Sequence, residues 1–344
     1  MVDKINTTLP LFCPRHDCKF YGLYDNKITR DGTYITKNDN VKRQMFYCGS
    51  GKHRFSETGY SGLFGKHGSF KEYTQASKLF SFGLSNDKIA DVLEKDQRTI
   101  DTWRNNIGSK SKIFHITICM LAGLAIEFLQ MDELWSFFKR KNNQLWIFTA
   151  IESKTKFWIT FEFGSRTVWT AIRLLKSIKM LLKISDDTVI KITTDKFAAY
   201  KNALGKVFYN ITYYYLQIAK RRYRKKLITV KKFFVKGASE NFPSGTQNTS
   251  FIERLNLTLR QNISFLRRKT LGYCKNTANL KNIMWINLFN YNYIRPHKSL
   301  RSRINNKKSK FTEFYKHNTP AMVTGLTSAP LTWRDLITAP VLKE

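Results

Sequence analysis

Acidic residues are scarce in this sequence. Asp and Glu number 25 against 59 Lys and Arg, which gives a formal net charge of +34 over 344 residues. A compact protein with that excess repels itself unless a polyanion neutralises it. An AT-rich genome would favour lysine codons, but that alternative does not explain the shortage of acids. The charge balance therefore indicates a nucleic-acid partner, because each phosphate contact releases counterions.

Long apolar runs and a paired set of cysteines are also missing. No stretch reaches about 18 uncharged apolar residues, so we expect no membrane span, and no basic amphipathic helix favours an anionic membrane surface. The start, MVDKINTTLP, has no apolar region of a signal peptide. Five cysteines argue against a closed disulfide framework. These absences predict a reducing compartment, either the cytoplasm and nucleoid of a prokaryote or the nucleus of a eukaryotic host or virus.

Hydrophobic residues, in contrast, make up 42% of the chain and aromatic residues 14%, which is enough for a real core. The length suits two or three domains. The changes of composition along the chain predict a Cys-bearing domain, a helical domain, an α/β domain and a basic, mostly irregular tail, at 1–66, 67–112, 125–298 and 299–344.

Cysteines in the first domain have the spacing of a zinc ribbon. Cys13 and Cys18 bracket the run CPRHDC, and Cys48 ends the aromatic run RQMFYC. Two such turns can supply a tetrahedral thiolate shell for Zn²⁺. A fourth Cys is expected three residues after Cys48, where glycine stands instead. His53 is the best substitute and His16 a weaker one; the alternative is a degenerate ribbon without metal.

Helical periodicity begins near residue 70 and predicts three helices. Gly83 is placed to end the first helix and Asp96 to cap the third. The spacing of small and apolar residues is that of a helix-turn-helix, although a helical spacer is the alternative. In such a motif the third helix reads DNA. The side chains that we expect to contact DNA there are Arg98, Thr102 and Arg104.

From residue 125 the pattern becomes α/β. Three aromatic and β-branched runs predict consecutive strands, and an amphipathic helix, a fourth strand, a second helix and a fifth strand follow. The order β-β-β-α-β-α-β is the ribonuclease-H-like order. We therefore predict a mixed five-stranded sheet with helices, of the ribonuclease-H-like class.

Three carboxylates in this domain could meet at one point. Asp132 and Asp195 each end an apolar strand run, and Glu253 opens a helix with one apolar face. Convergent carboxylates can hold two Mg²⁺ or Mn²⁺ ions, which is what phosphodiester cleavage needs. Arg260 lies two helical turns after Glu253, where it could hold the phosphates of a substrate. Rival carboxylates lie nearby in the sequence, namely Glu133, Asp186, Asp187 and Glu240.

A basic run at 220–236, KRRYRKKLITVKKFFVK, lies between the second and third of these carboxylates and contains no acid. We interpret it as the lining of a groove that leads to the carboxylates and holds the DNA backbone without reading sequence. A solvated lysine-rich loop is the alternative. The side chains that carry this prediction are Arg221, Arg222 and Arg224.

The sequence around these carboxylates resembles a known family. IERLNLTLRQNISFLRRKTL resembles the segment around the catalytic Glu in DDE transposases of the insertion sequence 1 family, and MDELW and TTDKFAAY resemble the segments around their two catalytic Asp residues. The run YNYIRPHKSL is more like the end of the broader integrase-core transposases. The resemblance implies Asp132, Asp195 and Glu253 as metal ligands, and Asn256 and Arg260 as helix residues that face the DNA.

A DDE transposase of a mobile element is thus the function that we expect. It would bind the terminal inverted repeats through its front domains, cleave a 3′ end with Mg²⁺ and transfer that end to target DNA. Pairing two ends on double-stranded DNA requires a homodimer or a higher oligomer. A non-enzymatic DNA-binding protein, such as a repressor or domesticated transposase, is the main alternative, and a nuclease without strand transfer is another.

Overall fold

The computed structural model describes residues 13–15, 17–21, 27–37, 40, 42–59, 68–185, 187–224, 226–267, 273–303 and 315–339. His16 and Asp186, which entered the sequence predictions, lie outside these residues. Two compact units divide the chain. The first consists of 1–80, 84–117 and 332–344, and the second of 81–83 and 118–331.

The first unit begins with a small antiparallel sheet of three strands in sequential order. Its strands are β1 (Ile28–Ile35), β2 (Lys42–Cys48) and β3 (His53–Ser56). Phe46 and Phe55 are buried together with Cys13, Cys18 and Cys48, so the aromatic rings and the thiols form one small core.

Three helices follow: α1 (Phe70–Ser81), α2 (Asn86–Val92) and α3 (Gln97–Ala122). Gly83 adopts φ +81°, which ends the first helix as the sequence predicts. The carboxylate of Asp96 accepts a hydrogen bond from the backbone N–H of Arg98 at 2.8 Å and so caps α3. Glu94, in the turn between α2 and α3, adopts φ +51°, the left-handed conformation for which glycine is often selected. The third helix continues ten residues past the predicted boundary at 112.

The second unit is built on a six-stranded mixed sheet, so the predicted mixed α/β class is confirmed. Its strands, in the order β6-β5-β4-β7-β8-β9, are β4 (Phe128–Phe138), β5 (Arg140–Glu152), β6 (Phe157–Gly164), β7 (Val189–Asp195), β8 (Thr212–Tyr223) and β9 (Lys226–Lys236). Strand β7 runs parallel to both β4 and β8, and the other neighbouring pairs are antiparallel.

Helices α4 (Val168–Leu181) and α5 (Ala198–Val207) provide the connections into β7 and β8, because a parallel neighbour requires a crossover. The apolar stripe of α4 is buried, with Leu174, Leu175 and Ile178 fully inaccessible to solvent. Central strands are apolar on both faces, as expected of a sheet that is covered on both sides. Further along lie α6 (Ser250–Asn262) and α7 (Thr277–Phe289).

The predicted number of five strands is wrong, because the basic run supplies a sixth. Residues 226–236 form β9, which pairs with β8 as an antiparallel hairpin. Arg224 adopts φ +44° in the tight turn. Nearly every residue of β9 is exposed. The strand therefore has no buried apolar face opposite a solvated polar face, and its lysines are mixed with its apolar residues. That mixture concealed the β-branched and aromatic residues that favour a strand.

The described part of the tail contains only short regular elements. After the short strands β10 (Ser302–Arg303) and β11 (Tyr315–Lys316), helices α8 (Pro320–Val323) and α9 (Trp333–Thr338) form. In the first unit, Lys110 of α3 donates a hydrogen bond to the backbone carbonyl of Ile337 in α9. Trp333 and Leu336 are buried, so apolar packing rather than local propensity orders this segment. None of the helices in the described part of the chain is both long and apolar enough to cross a membrane.

Candidate active site

Asp132 and Asp195 meet because of the strand register. In the parallel pairing of β4 with β7, Met131 lies opposite Thr194. The next residue on each strand is therefore one of the two aspartates. The carboxylate oxygens of Asp132, Glu133 and Asp195 lie within 4.8 Å of one another. The two strands are central neighbours in the sheet, and we refer to these three residues as the acid cluster.

Asp132 is held from the side of α6. Its Oδ2 accepts a hydrogen bond from the Asn256 amide at 2.8 Å, and the Thr149 hydroxyl donates to the other end of that amide at 2.9 Å. Burial raises the pKa of Asp132 to about 6, and the negative charges of Asp195 and Glu253 act in the same direction. The Asp132 carboxylate is thus held in a fixed orientation, and its charged form is disfavoured by burial and by the neighbouring negative charges.

Glu133 belongs to the cluster, although the sequence indicated it only as a rival to Asp132. Its side chain is 2% exposed, and burial with the nearby charge of Asp195 raises its pKa to about 7. Its Oε1 and the buried Tyr200 hydroxyl both lack a hydrogen bond of normal geometry among the described residues, though Tyr200 is close enough to lower the pKa of Glu133. A buried, unsatisfied carboxylate oxygen beside two other carboxylates is the kind of donor that a cation would satisfy.

Arg166 is a basic residue that contacts the acid cluster, and sequence reasoning did not identify it. Its guanidinium lies 3.1 Å from Glu133 and 3.8 Å from Asp195. The ring of Phe197 lies under the guanidinium at 4.1 Å and that of Trp146 at 5.1 Å. The signal in the sequence is a single arginine in a turn after β6, which is indistinguishable from a solvated one.

Asp195 ends β7, and its Oδ1 accepts a hydrogen bond from the backbone N–H of Phe197 at 3.0 Å. Burial raises its pKa, and that hydrogen bond and Arg166 oppose the effect. Asp195 lines a cavity of about 400 Å³ with Arg166, Lys220, Thr249 and Glu253, among others. The cavity opens at the carboxyl end of the parallel strand β7, where functional sites of open α/β sheets are commonly found.

Glu253 lies in the first turn of α6 and reaches the same cavity. Its Oε1 accepts a hydrogen bond from the Thr249 hydroxyl at 2.6 Å and forms an ion pair with Lys220. Its negative charge raises the pKa of both Asp132 and Asp195. Among the described residues, however, the acid cluster within 4.8 Å does not include Glu253.

The two other predicted residues of α6 do not present free side chains to a ligand. Asn256 is buried at 7% exposure and is occupied by Asp132 and Thr149. Arg260 donates hydrogen bonds to the backbone carbonyl oxygens of Leu266 at 2.9 Å and Trp135 at 3.5 Å. The side chain of Asn256 thus positions Asp132 in this structure, and its contact with DNA stays a prediction.

The basic run reaches the site at its first residue. Lys220 lines the cavity, while Arg221 and Arg224 are exposed further along the hairpin. The side chain of Arg222 lies outside the described structure. Tyr223, Leu227 and other apolar residues of the hairpin are exposed as well, so the hairpin has a mixed cationic and apolar surface.

In the first unit, α3 presents only part of the predicted DNA-reading set. Arg98 and Thr102 are exposed. Arg104 is 4% exposed and forms an ion pair with Asp101 at 2.8 Å. Its position follows Trp103 on the buried side of the helix, so the expected outward orientation of Arg104 is corrected.

The four side chains predicted to bind zinc lie together. The thiols of Cys13, Cys18 and Cys48 fall within 4.8 Å of one another, and the His53 ring nitrogens are 3.8 and 3.9 Å from the Cys13 Sγ. Burial raises the pKa of the Cys13 thiol to about 12. Gly51, at the position where a fourth Cys was expected, donates its backbone N–H toward the Cys48 Sγ at 3.1 Å.

Comparison with known proteins gives a match over the α/β unit. Residues 125–240 match the family model for IS1 transposase, a range that contains Asp132 and Asp195 and stops before Glu253. The insertion element IS1 protein InsB of Shigella sonnei is 29% identical over 147 residues, which cover 42% of this chain and 82% of that protein.

The IS1 9 protein InsB of Escherichia coli K12 has the same identity over the same length, and the aligned residues cover 64% of it. Among solved structures, an intasome of simian T-cell lymphotropic virus in complex with PP2A regulatory subunit B56 gamma has 16% identity and a TM-score of 0.34. That likeness covers 61% of this chain and 58% of the other.

Proposed function

We propose, from the match of residues 125–240 to the family model for IS1 transposase, that the chain is a DNA transposase acting on the ends of its own mobile element. The activity consists of cleavage at a 3′ end followed by transfer of that end to target DNA. The convergence of Asp132 and Asp195 on adjacent parallel strands, beside a helix that carries Glu253, supports this proposal most directly.

The strand order of the α/β unit adds support. Without its last strand, the sheet places the first three strands as an antiparallel set and the fourth parallel beside the first. This is the arrangement that a ribonuclease-H-like fold requires. In such a fold the site lies where the first and fourth strands end, which here is the position of Asp132 and Asp195.

The donor set fits divalent metal ions. The cluster offers hard carboxylate oxygens within 4.8 Å of one another, and the buried Oε1 of Glu133 has only the Tyr200 hydroxyl near it among the described residues. We assign Asp132, Asp195 and Glu253 as ligands of Mg²⁺ or Mn²⁺, with Glu133 as a further candidate. Two bound ions would supply activation of the attacking hydroxyl and stabilisation of the leaving oxygen. Asn256 and Thr149 hold Asp132 in orientation for this role.

DNA is held, in this proposal, by separate surfaces of the chain. The exposed Arg98 and Thr102 on α3 read the terminal repeat as part of a helix-turn-helix. The exposed cations of the β8–β9 hairpin contact the backbone. A zinc ion on Cys13, Cys18, Cys48 and His53 stabilises the small sheet in front of the helices. Pairing of two ends requires at least a homodimer.

A strand-transfer assay with the repeats that flank the element tests the activity. We expect Mg²⁺-dependent joining by the native chain and loss of joining by Asp132→Asn and Asp195→Asn. Glu127→Gln is the matched control, because Glu127 lies just before β4 and pairs with Lys191 and Lys154 away from the cluster.

Three outcomes of this assay count against the proposal. Binding of the repeats without cleavage under any divalent ion would favour the non-enzymatic DNA-binding protein. Cleavage without joining would favour a nuclease. Equal activity of the two Asn variants and Glu127→Gln would remove the site assignment.

A further inference from the structure

Glu253 has a partner that competes with a metal ion. Its carboxylate forms an ion pair with the ammonium group of Lys220 and accepts the Thr249 hydroxyl at 2.6 Å. Among the described residues, the Glu253 carboxylate is not part of the acid cluster. Glu253 and Asp195 nevertheless line the same cavity. The third carboxylate of the site is therefore held by the chain itself.

The sheet explains why Lys220 is in this position. Strand β7 ends at Asp195, which pairs with Ile218 of β8. Strand β8, which pairs with β9 from Tyr215 onward, continues beyond that point, and Lys220 lies two residues after Ile218. Side chains two residues apart share one face of a strand. Lys220 therefore extends along the same face past the end of β7 and reaches Glu253 at the start of α6.

Both partners of this ion pair remain accessible to solvent. The side chain of Lys220 is 23% exposed and that of Glu253 is 42% exposed. Ion pairs of that exposure contribute little, since solvent screens the attraction. A divalent ion in the acid cluster would attract Glu253 more strongly than Lys220 does, because the ion carries two positive charges and the ammonium group carries one. The ion would also offset the repulsion between Glu253 and the negative charges of Asp132 and Asp195.

We propose that Lys220 is a positioning residue whose ion pair keeps the Glu253 carboxylate out of the acid cluster until a divalent metal ion binds there and breaks that ion pair. This rests on the proposed metal site and adds a gate to it. The carboxylates of Asp132, Glu133 and Asp195 lie together, while Glu253 at the same cavity contacts Lys220 and Thr249. Completion of the site is then coupled to loss of the Lys220–Glu253 contact.

The test measures binding of Mn²⁺ to the full chain without DNA, by titration with electron paramagnetic resonance of the free ion. The variant is Lys220→Met and its control is Lys231→Met. Lys231 pairs with Ala219, one residue from Lys220, so it lies on the opposite face of the same hairpin and removes the same charge. We expect Lys220→Met to bind Mn²⁺ about three- to five-fold tighter than Lys231→Met, the factor that a weak ion pair allows.

A double-mutant cycle separates the gate from simple charge repulsion. In the Glu253→Gln background, Lys220→Met should have no further effect on Mn²⁺ affinity, because its target is already gone. An equal gain in both backgrounds, or equal affinities of Lys220→Met and Lys231→Met, overturns the gate. Thr249→Val, which removes the second contact of Glu253, should also tighten Mn²⁺ binding and serves if Lys220→Met does not fold.

The experiment also distinguishes failure of the gate from failure of the metal site. Asp132→Asn should lose Mn²⁺ affinity relative to Glu127→Gln. If Asp132→Asn binds Mn²⁺ as the native chain does, the metal site itself is wrong. If Asp132→Asn loses affinity and Lys220→Met behaves like its control, the metal site remains and the gate alone is refuted.

Discussion

Replacement of Asp132 by Asn should stabilise the metal-free protein at neutral and alkaline pH. Burial together with the charges of Asp195 and Glu253 raises the pKa of Asp132 to about 6. The folded chain then holds the Asp132 proton more tightly than the unfolded chain, whose Asp has a pKa near 4. This contribution to stability is complete below about pH 4 and is lost as the pH rises through about 6.

The size of the effect follows from the shift. A shift of about two pKa units corresponds to ~3 kcal/mol between the protonation states of Asp132. Because Asp132 and Glu133 interact, the substitution of Asp132 alone recovers only part of this free energy. We therefore expect Asp132→Asn to raise the free energy of unfolding by about 1–3 kcal/mol at pH 8. For a domain of this size each kcal/mol moves the midpoint of thermal unfolding by about 2–4 °C.

The assay is thermal unfolding in the presence of a chelator, between pH 4 and 8. The gap between Asp132→Asn and the native chain should be absent near pH 4 and should grow up to about pH 7. Glu127→Gln is the control of opposite sign, because the contact with Lys191 lowers the pKa of Glu127. Added Mn²⁺ should stabilise the native chain and not Asp132→Asn. A native midpoint equal to or above that of Asp132→Asn at pH 8 without metal would refute this reasoning.

Three further predictions concern the other parts of the chain. Cys13→Ser should release zinc and unfold the small sheet while α4 to α7 stay folded, which metal analysis and hydrogen exchange would check; a metal-free native protein with this sheet intact contradicts it. Arg98→Ala or Thr102→Ala should cost about 1–3 kcal/mol on the cognate repeat and little on random DNA, whereas equal losses would mean that they touch only phosphate. Simultaneous replacement of Arg221, Arg222 and Arg224 by Ala should flatten the slope of log affinity against log salt by about 0.9 per lost phosphate contact. An unchanged slope with an intact fold would mean that the basic run is only a solvated surface.

Local sequence patterns were sufficient for much of the α/β unit. Apolar strand runs that end in Asp132 and Asp195 can be recognised in the linear chain, because strand periodicity and the polar residue that follows are properties of neighbouring residues. The same holds for Gly83 and Asp96, whose effects on helix ends act through adjacent peptide groups. The mixed α/β class and the family resemblance followed from these local features.

Only the tertiary structure decided which side chains share the site. Glu133 on β4 and Arg166, which follows β6, are 33 residues apart in the sequence. They meet because β4 and β6 lie on either side of β5 in the sheet. Asn256 serves Asp132 across 124 residues, and Lys220 reaches Glu253 because β8 extends past β7. Arg104 is buried because packing, and not helical periodicity alone, sets which face of α3 points inward. Strand register, helix phase and the relative ends of neighbouring strands are fixed by long-range packing, to which a linear pattern has no access.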